Sequence, residues 1–175
     1  PSYKTMSLLK FDYDIDATCP TWLTFLNEVF EKDHERIHLL QQFMGYVLVF
    51  DYRWQKMLVM AGESRSGKGT IANVIRDLVG TDSFVGTSIS KLGGEHGLHS
   101  LIAAKVAVIG DAKQAARGGI NQSHEALLNI TGNDHVTVSR KYKIALSMQL
   151  PARLIMMAND VPRFADSSDA MFNRY

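Results

Sequence analysis

The feature that most constrains this chain is a glycine-rich loop at residues 62–70, which separates a short apolar run from an amphipathic segment. Residues 57–61 are continuously apolar, as is typical of a strand buried on both faces of a parallel sheet. After the loop, apolar residues recur at helical spacing at Ile71, Val74, Ile75, Leu78 and Val79. Gly80 then supplies a typical helix end. A strand, a glycine loop and a helix in this order predict an α/β fold.

The loop consists of Gly62, Glu63, Ser64, Arg65, Ser66, Gly67, Lys68, Gly69 and Thr70. Its glycine spacing is typical of a loop whose backbone N–H groups, together with the helix N-terminus, point at phosphate oxygens. Lys68 is therefore predicted to neutralise the β and γ phosphates of ATP. A glycine-rich turn without a ligand is the alternative.

The loop departs from the usual pattern at one position. The hydroxyl that normally follows the lysine and binds Mg²⁺ is replaced by Gly69, and Thr70 comes one place later. Thr70 is accordingly the predicted Mg²⁺ ligand on the loop.

Two polar residues follow later apolar runs and are predicted to share the loop's edge of the sheet. Asp111 comes after the run at 106–109, where an acid would hold Mg²⁺ or orient the attacking water. It has no acidic neighbour, and the alternative is that it caps a turn. Asn159 ends the run at 154–158, where its amide would contact the γ-phosphate or the water. A simple turn residue is the alternative there.

The remaining chain alternates helical and strand patterns. Two amphipathic helices, one after Pro20 and one from Asp33 to about Phe50, form a predicted helical subdomain over residues 1–54. Residues 55–175 form the predicted core, with further strands at 84–89, 106–109 and 154–158 and a helix after Asn121. The chain starts without methionine and stops within a helical pattern, so we expect a fragment of a longer protein whose core is truncated at its C-terminal end.

A period-two pattern on both sides of residues 140–143 predicts a β-hairpin. Its tip carries Arg140, Lys141, Tyr142 and Lys143. The basic side chains would contact backbone phosphates of single-stranded DNA, and the tyrosine would stack on a base. A solvated lysine-rich turn is the alternative.

Composition sets only broad limits. The length of 175 residues and a hydrophobic content of 46% suffice for one packed domain. The formal net charge is +1, so any nucleic-acid binding depends on a local patch. One cysteine, Cys19, excludes an internal disulfide framework, and no segment has the pattern of a membrane span or signal peptide. These observations favour a cytoplasmic location.

In several ordered stretches the chain resembles the superfamily 3 helicase core of phage and plasmid primase-helicases. The matching stretches are residues 19–26, 44–48, 62–70, 127–134, 158–162 and 171–174. The resemblance implies an AAA+-like P-loop core with a mostly parallel sheet, a hexameric ring of identical subunits, and ATP-driven movement on single-stranded DNA. It also implies a primase domain or protein as a partner, and a bacterial or phage-infected cell as the location. Within this pattern Asn159 matches the sensor and Arg174 the arginine finger, whereas Arg174 by itself would be a surface arginine.

Two enzymatic or binding alternatives remain. Nucleoside monophosphate kinases share the pattern of residues 67–70, although they usually begin with the loop. A DNA clamp or loader that binds ATP with little hydrolysis is compatible with the single acid at Asp111. The motif at His34, Glu35 and His38 has zinc-protease spacing, but no third ligand follows it, and His96 and His99 also lack partnering ligands.

Overall fold

The computed structural model describes residues 11–49, 53–110, 120–161 and 172–174. The helices are α1 (Pro20–Val29), α2 (His34–Tyr46), α3 (Lys68–Val79), α4 (Ile89–Leu92) and α5 (Ile120–Gly132). The strands are β1 (Leu58–Ala61), β2 (Phe84–Thr87), β3 (Val106–Ile109), β4 (His135–Arg140), β5 (Lys143–Gln149) and β6 (Arg153–Ala158). Short 3-10 turns lie at Thr81–Ser83, His99–Leu101 and Phe172–Arg174.

A four-stranded sheet with the order β1-β6-β3-β2 forms the centre of the fold. All of its pairings are parallel, which confirms the predicted α/β class. The register aligns Ala61 with Ala158, Met156 with Ile109, and Ile109 with Thr87. The carboxyl ends of the strands therefore lie along one edge, where open parallel sheets usually bind ligands.

Helices cover both faces of this sheet, which explains why its strands are almost continuously apolar. On one face, Val106, Val108 and Ile155 pack in a common cluster with side chains of α1, α2 and α3. On the other face, Ala107, Ile109 and Met156 pack with α4, α5 and β4. Successive residues of a strand point to opposite faces, so one short strand contributes to both clusters.

The N-terminal helices begin and end where the local sequence favours it. Pro20 occupies the first turn of α1, and the Asp33 carboxylate accepts the backbone N–H groups of Glu35 and Arg36 at the start of α2. The fully buried Leu26 of α1 and Leu40 of α2, which is 3% exposed, belong to the same core cluster as Ile75 of α3. Full burial of such a side chain contributes about 2 kcal/mol to folding. The two helices thus share a core with the sheet, and the boundary at residues 54 and 55 stays a prediction.

The predicted hairpin is confirmed as a separate antiparallel pair, β4 with β5, whose turn lies at Lys141 and Tyr142. Val136 and Val138 at its base are buried in the main core. The hairpin is therefore anchored at one end and extends away from the sheet at the other.

Two element boundaries differ from the predictions. Helix α2 ends at Tyr46, before the predicted end near Phe50, which lies outside the described residues. The predicted strand at 84–89 ends at Thr87, because Ser88 caps α4 by accepting the backbone N–H of Lys91 at 3.3 Å. Within the described part of the chain, no helix is long and apolar enough to cross a membrane.

Candidate functional site

The glycine-rich loop leaves the carboxyl end of β1 and leads directly into α3. Its first residue, Gly62, extends the sheet by donating its backbone N–H to the carbonyl of Ala158 at 3.2 Å. Its last residues, from Lys68 onward, already belong to α3. The free N–H groups of the first helical turn therefore face the same edge as the strand ends, where they favour an anion.

Lys68 is held across the loop in this structure. Its ammonium group donates to the carbonyl oxygens of Gly62 and Glu63, both at 2.7 Å, and to the Ser66 hydroxyl at 3.1 Å. The loop thus curls around a cation at its centre. Carbonyl dipoles hold this cation, and an anionic phosphate would compete with them for it.

The loop backbone takes left-handed conformations at Arg65, with φ of 68°, and at Gly67, with φ of 85°. At residue 67, glycine is needed for a further reason. A Cβ on Gly67 would lie 2.9 Å from Val29 Cγ2 and 3.1 Å from Phe25 Cζ, so α1 packs directly against the loop. Helix α1 is therefore part of the site.

A cavity of about 910 Å³ opens over the loop. Its wall combines loop residues Ser64 to Thr70, strand-end residues and one face of α1; the lining residues outside the loop are Phe25, Glu28, Val29, Gly110, Met157, Ala158 and Asn159. This volume lies within the range of natural small-molecule sites. The residues of α1 were not predicted as site residues, because their sequence pattern indicates only an amphipathic helix.

The structure brings together most of the residues predicted for phosphate and metal binding. Arg65, Lys68, Thr70 and Asn159 all line the one cavity, as does Gly110, the residue before Asp111. Asp111 itself lies outside the described residues. The catalytic, metal and nucleotide-binding roles of these residues stay predictions.

Arg174 lies away from this cavity in its own chain. Its backbone carbonyl accepts the Met57 N–H at 2.6 Å, and its guanidinium donates to the side-chain oxygen of Gln55. Gln55 in turn donates to the carbonyl of Gly132 at 3.1 Å. Met57 precedes β1 and Gly62 follows it, so Arg174 is anchored roughly 17 Å along the strand direction from the start of the loop.

The hairpin tip exposes its predicted DNA-contacting side chains unequally. Tyr142 is 94% exposed, and the ammonium of Lys141 lies 5.1 Å from the centre of its ring. Lys143 is exposed as well. Arg140 differs, because its guanidinium donates to the carbonyl of Ile144 at 2.6 and 3.0 Å and thereby braces the turn.

The histidines of the zinc-protease-like motif are both exposed on α2, and His38 forms a hydrogen bond with Gln42 at 3.0 Å. In the portion of the chain that is described, no three His, Cys, Asp or Glu side chains group to hold a metal ion. The motif therefore lies on a solvent-exposed face of α2.

Comparison with known proteins gives a family match and a structural match. A model described as a family of unknown function (DUF5906) matches residues 60–174. The fold is similar to the A form apo structure of the NrS-1 C-terminal region, with a TM-score of 0.66 and 10% sequence identity. The match covers 82% of this chain and 34% of that one, so this chain spans about a third of its length. At this level of identity the likeness shows a shared fold.

Proposed function

The chain belongs to the DUF5906 family, whose function is unknown, and from its site we propose that it is an ATP-hydrolysing motor of the superfamily 3 helicase type. The motor would form the AAA+-like P-loop core of a ring that moves on single-stranded DNA. The observation that carries the proposal is the loop at residues 62–70, which curls around Lys68 at the carboxyl edge of a parallel sheet and lines a nucleotide-sized cavity. This is the edge at which α/β proteins bind phosphorylated ligands.

The residues present fit a triphosphate. A Cβ on Gly62 would lie 2.9 Å from Ser66 Oγ, and a Cβ on Gly67 would lie 2.9 Å from Val29 Cγ2. Glycine at both positions therefore allows the tight curvature of the loop. A Cβ on Gly69 would meet nothing within 4 Å, so the space over the helix start stays open. Lys68 would exchange its carbonyl partners for phosphate oxygens, which are stronger acceptors because they are charged.

The metal that accompanies ATP would be held by Thr70 and Asp111. Thr70 lines the cavity within the first turn of α3, one position later than the usual hydroxyl. When bound, Mg²⁺ would neutralise charge on the phosphates. Asn159, which follows β6 in the same cavity wall, would orient the attacking water or contact the γ-phosphate with its amide.

Hydrolysis in this proposal depends on assembly. Arg174 is anchored at the opposite end of β1 from the loop, so it would act on the ATP of an adjacent subunit. A guanidinium supplied in this way stabilises charge on the transferring phosphoryl group. A closed ring, for which a hexamer is the expected form, gives every site such a neighbour.

The hairpin would supply the contact with DNA inside the ring. Lys141 and Lys143 would bind backbone phosphates, and Tyr142 would stack on a base. Arg140 would act mainly on the turn, since Ile144 already accepts its hydrogen bonds. A primase domain or protein is the expected replication partner.

ATP turnover by the full-length protein, measured with and without single-stranded DNA, tests the motor. We expect DNA to stimulate turnover and Lys68→Ala to lower it on the order of a hundredfold. Lys91→Ala is the matched control, because Lys91 is an exposed lysine of α4 outside the cavity. Full turnover by Lys68→Ala, or no response to DNA, would refute the motor. ATP binding with negligible turnover would favour a clamp or loader, and phosphate transfer to AMP a nucleoside monophosphate kinase.

Mixed rings test the role of Arg174. Arg174→Ala alone should bind ATP normally but hydrolyse it about a thousandfold more slowly. Mixing it with Lys68→Ala subunits should restore turnover, because some sites then combine an intact Lys68 with an intact Arg174. Gln55→Ala removes a side-chain partner of Arg174 and controls for loss of local packing. Failure of the mixture to recover activity would contradict action across subunits.

A further inference from the structure

Part of the cavity wall comes from α1, a helix that carries no nucleotide-binding motif. Phe25, Glu28 and Val29 lie one helical turn apart or adjacent, and all three line the cavity. Phe25 and Val29 touch the position that a side chain on Gly67 would occupy. The helix is thus fixed against the loop by direct contact, which also places the backbone of Glu28, an exposed residue of the same helix, beside the loop.

Glu28 is the sole carboxylate in the described lining of this cavity. An ionised carboxylate only accepts hydrogen bonds, and it repels other anions. Phosphate oxygens are therefore poor neighbours for it. The hydrogen-bond donors of a nucleoside triphosphate are the ribose hydroxyls and the N–H groups of the base.

Phe25 adds a second indication. Its ring stacks on that of Trp22, with centroids 5.4 Å apart and planes inclined by 20°. Both rings are half-buried, and Phe25 belongs to the cavity wall. A planar base of any type is stabilised by stacking on such a ring.

We propose that α1 forms the nucleoside half of the site, with Phe25 packing against the base and Glu28 accepting a hydrogen bond from an N–H of the base or a ribose hydroxyl. This inference rests on the proposed function, because it assumes that the loop holds the phosphates. It assigns the two halves of the ligand to different elements. The phosphates belong to residues 62–70, and the nucleoside belongs to the N-terminal helix.

Binding of inorganic tripolyphosphate and of ATP by the full-length protein separates the two halves. Glu28→Gln should weaken ATP about tenfold, because the neutral amide oxygen of glutamine is a weaker acceptor than a carboxylate. Phe25→Leu should weaken ATP about fivefold through lost stacking. Neither variant should weaken the binding of tripolyphosphate. Glu35→Gln, an exposed glutamate of α2 outside the cavity, is the matched control.

Three analogues identify the donor. 2′-Deoxy-ATP and 3′-deoxy-ATP each lack one ribose hydroxyl, and purine riboside triphosphate lacks the amino group of adenine. The analogue that lacks the group bound by Glu28 should bind the wild type about tenfold more weakly and should not respond further to Glu28→Gln. The other two analogues should behave like ATP.

The outcomes distinguish this inference from the proposed function. If ATP and tripolyphosphate bind in a Lys68-dependent manner but Glu28→Gln changes neither, the inference fails and the proposed function stands. Equal losses for both ligands would also overturn it, because Glu28 would then act at the phosphates or their metal. If neither ligand binds the wild type, the proposed function itself fails.

Discussion

The phosphate loop and the hairpin tip both present cationic groups, yet they differ in how firmly those groups are held. Lys68 has three hydrogen-bond partners within its loop, and the loop is wedged between β1, α3 and α1. Lys141 contacts the ring of Tyr142, which is itself 94% exposed. Under the proposed function, the held cation would suit a ligand of fixed shape, and the exposed tip would suit a flexible strand. The difference teaches that contacts within a loop can fix one cation at the surface, while a β-turn leaves others facing solvent.

The largest effect on folding is expected where the loop meets α1. Gly67→Ala forces a left-handed residue to carry a Cβ that meets Val29 Cγ2 at 2.9 Å. We expect a loss of about 2 kcal/mol in the free energy of unfolding, together with a severalfold loss of ATP affinity. Urea denaturation and nucleotide titration measure the two quantities.

Gly69→Ala provides the matched control for stability, because a Cβ there meets nothing within 4 Å. Alanine also has the higher helix propensity, so the unfolding midpoint should stay the same or rise. Equal destabilisation by both substitutions would show that Gly67 does not pack against Val29 and Phe25 of α1.

An intermediate effect is expected at the hairpin tip. Replacing Lys141 and Lys143 by alanine should weaken single-stranded DNA binding about tenfold at low salt and flatten its salt dependence, because fewer counterions are released. ATP binding in the absence of DNA should not change, since neither lysine lines the cavity. Fluorescence anisotropy at several salt concentrations measures the slope. An unchanged slope would exclude these lysines from the DNA contact.

The smallest effect is expected for the exposed ring at the tip. Tyr142→Ala should weaken DNA binding about fivefold with an unchanged salt slope, since stacking releases no counterions. Tyr142→Phe retains the ring and should bind as the wild type does. If both variants bound DNA equally weakly, the hydroxyl rather than the ring would carry the contact.

Local patterns were enough to predict much of the fold. The apolar runs that became β1, β3 and β6, the helical periods of α1 and α3, and the two arms of the hairpin each reflect burial of a strand or helix face within a few neighbouring residues. The end of β2 was placed two residues too late because the apolar Ile89 was included in the strand, whereas Ser88 caps a helix that begins at Ile89. Such competition between a cap and an apolar pattern is decided by packing.

The residues of the site likewise fall into those that local patterns predicted and those that they did not. Lys68 and Thr70 were predicted as site residues from the glycine spacing of the loop, and Asn159 from its place after an apolar run. All three line one cavity, although their chemical roles stay predictions. No site role was predicted for Phe25, Glu28 and Val29, because helical spacing indicates only which face of a helix is apolar. Their participation follows from the contact of α1 with Gly67, which joins residues far apart in the chain.

The sequence alone therefore determined the glycine loop, the class of fold and the position of the hairpin turn, because each depends on residues close together along the chain. Only the tertiary structure decided that the N-terminal helices share a core with the sheet and that α1 forms a wall of the cavity. It also decided that Arg174 lies at the opposite end of β1 from the glycine-rich loop. These features depend on which surfaces pack together, and packing couples residues across the whole chain.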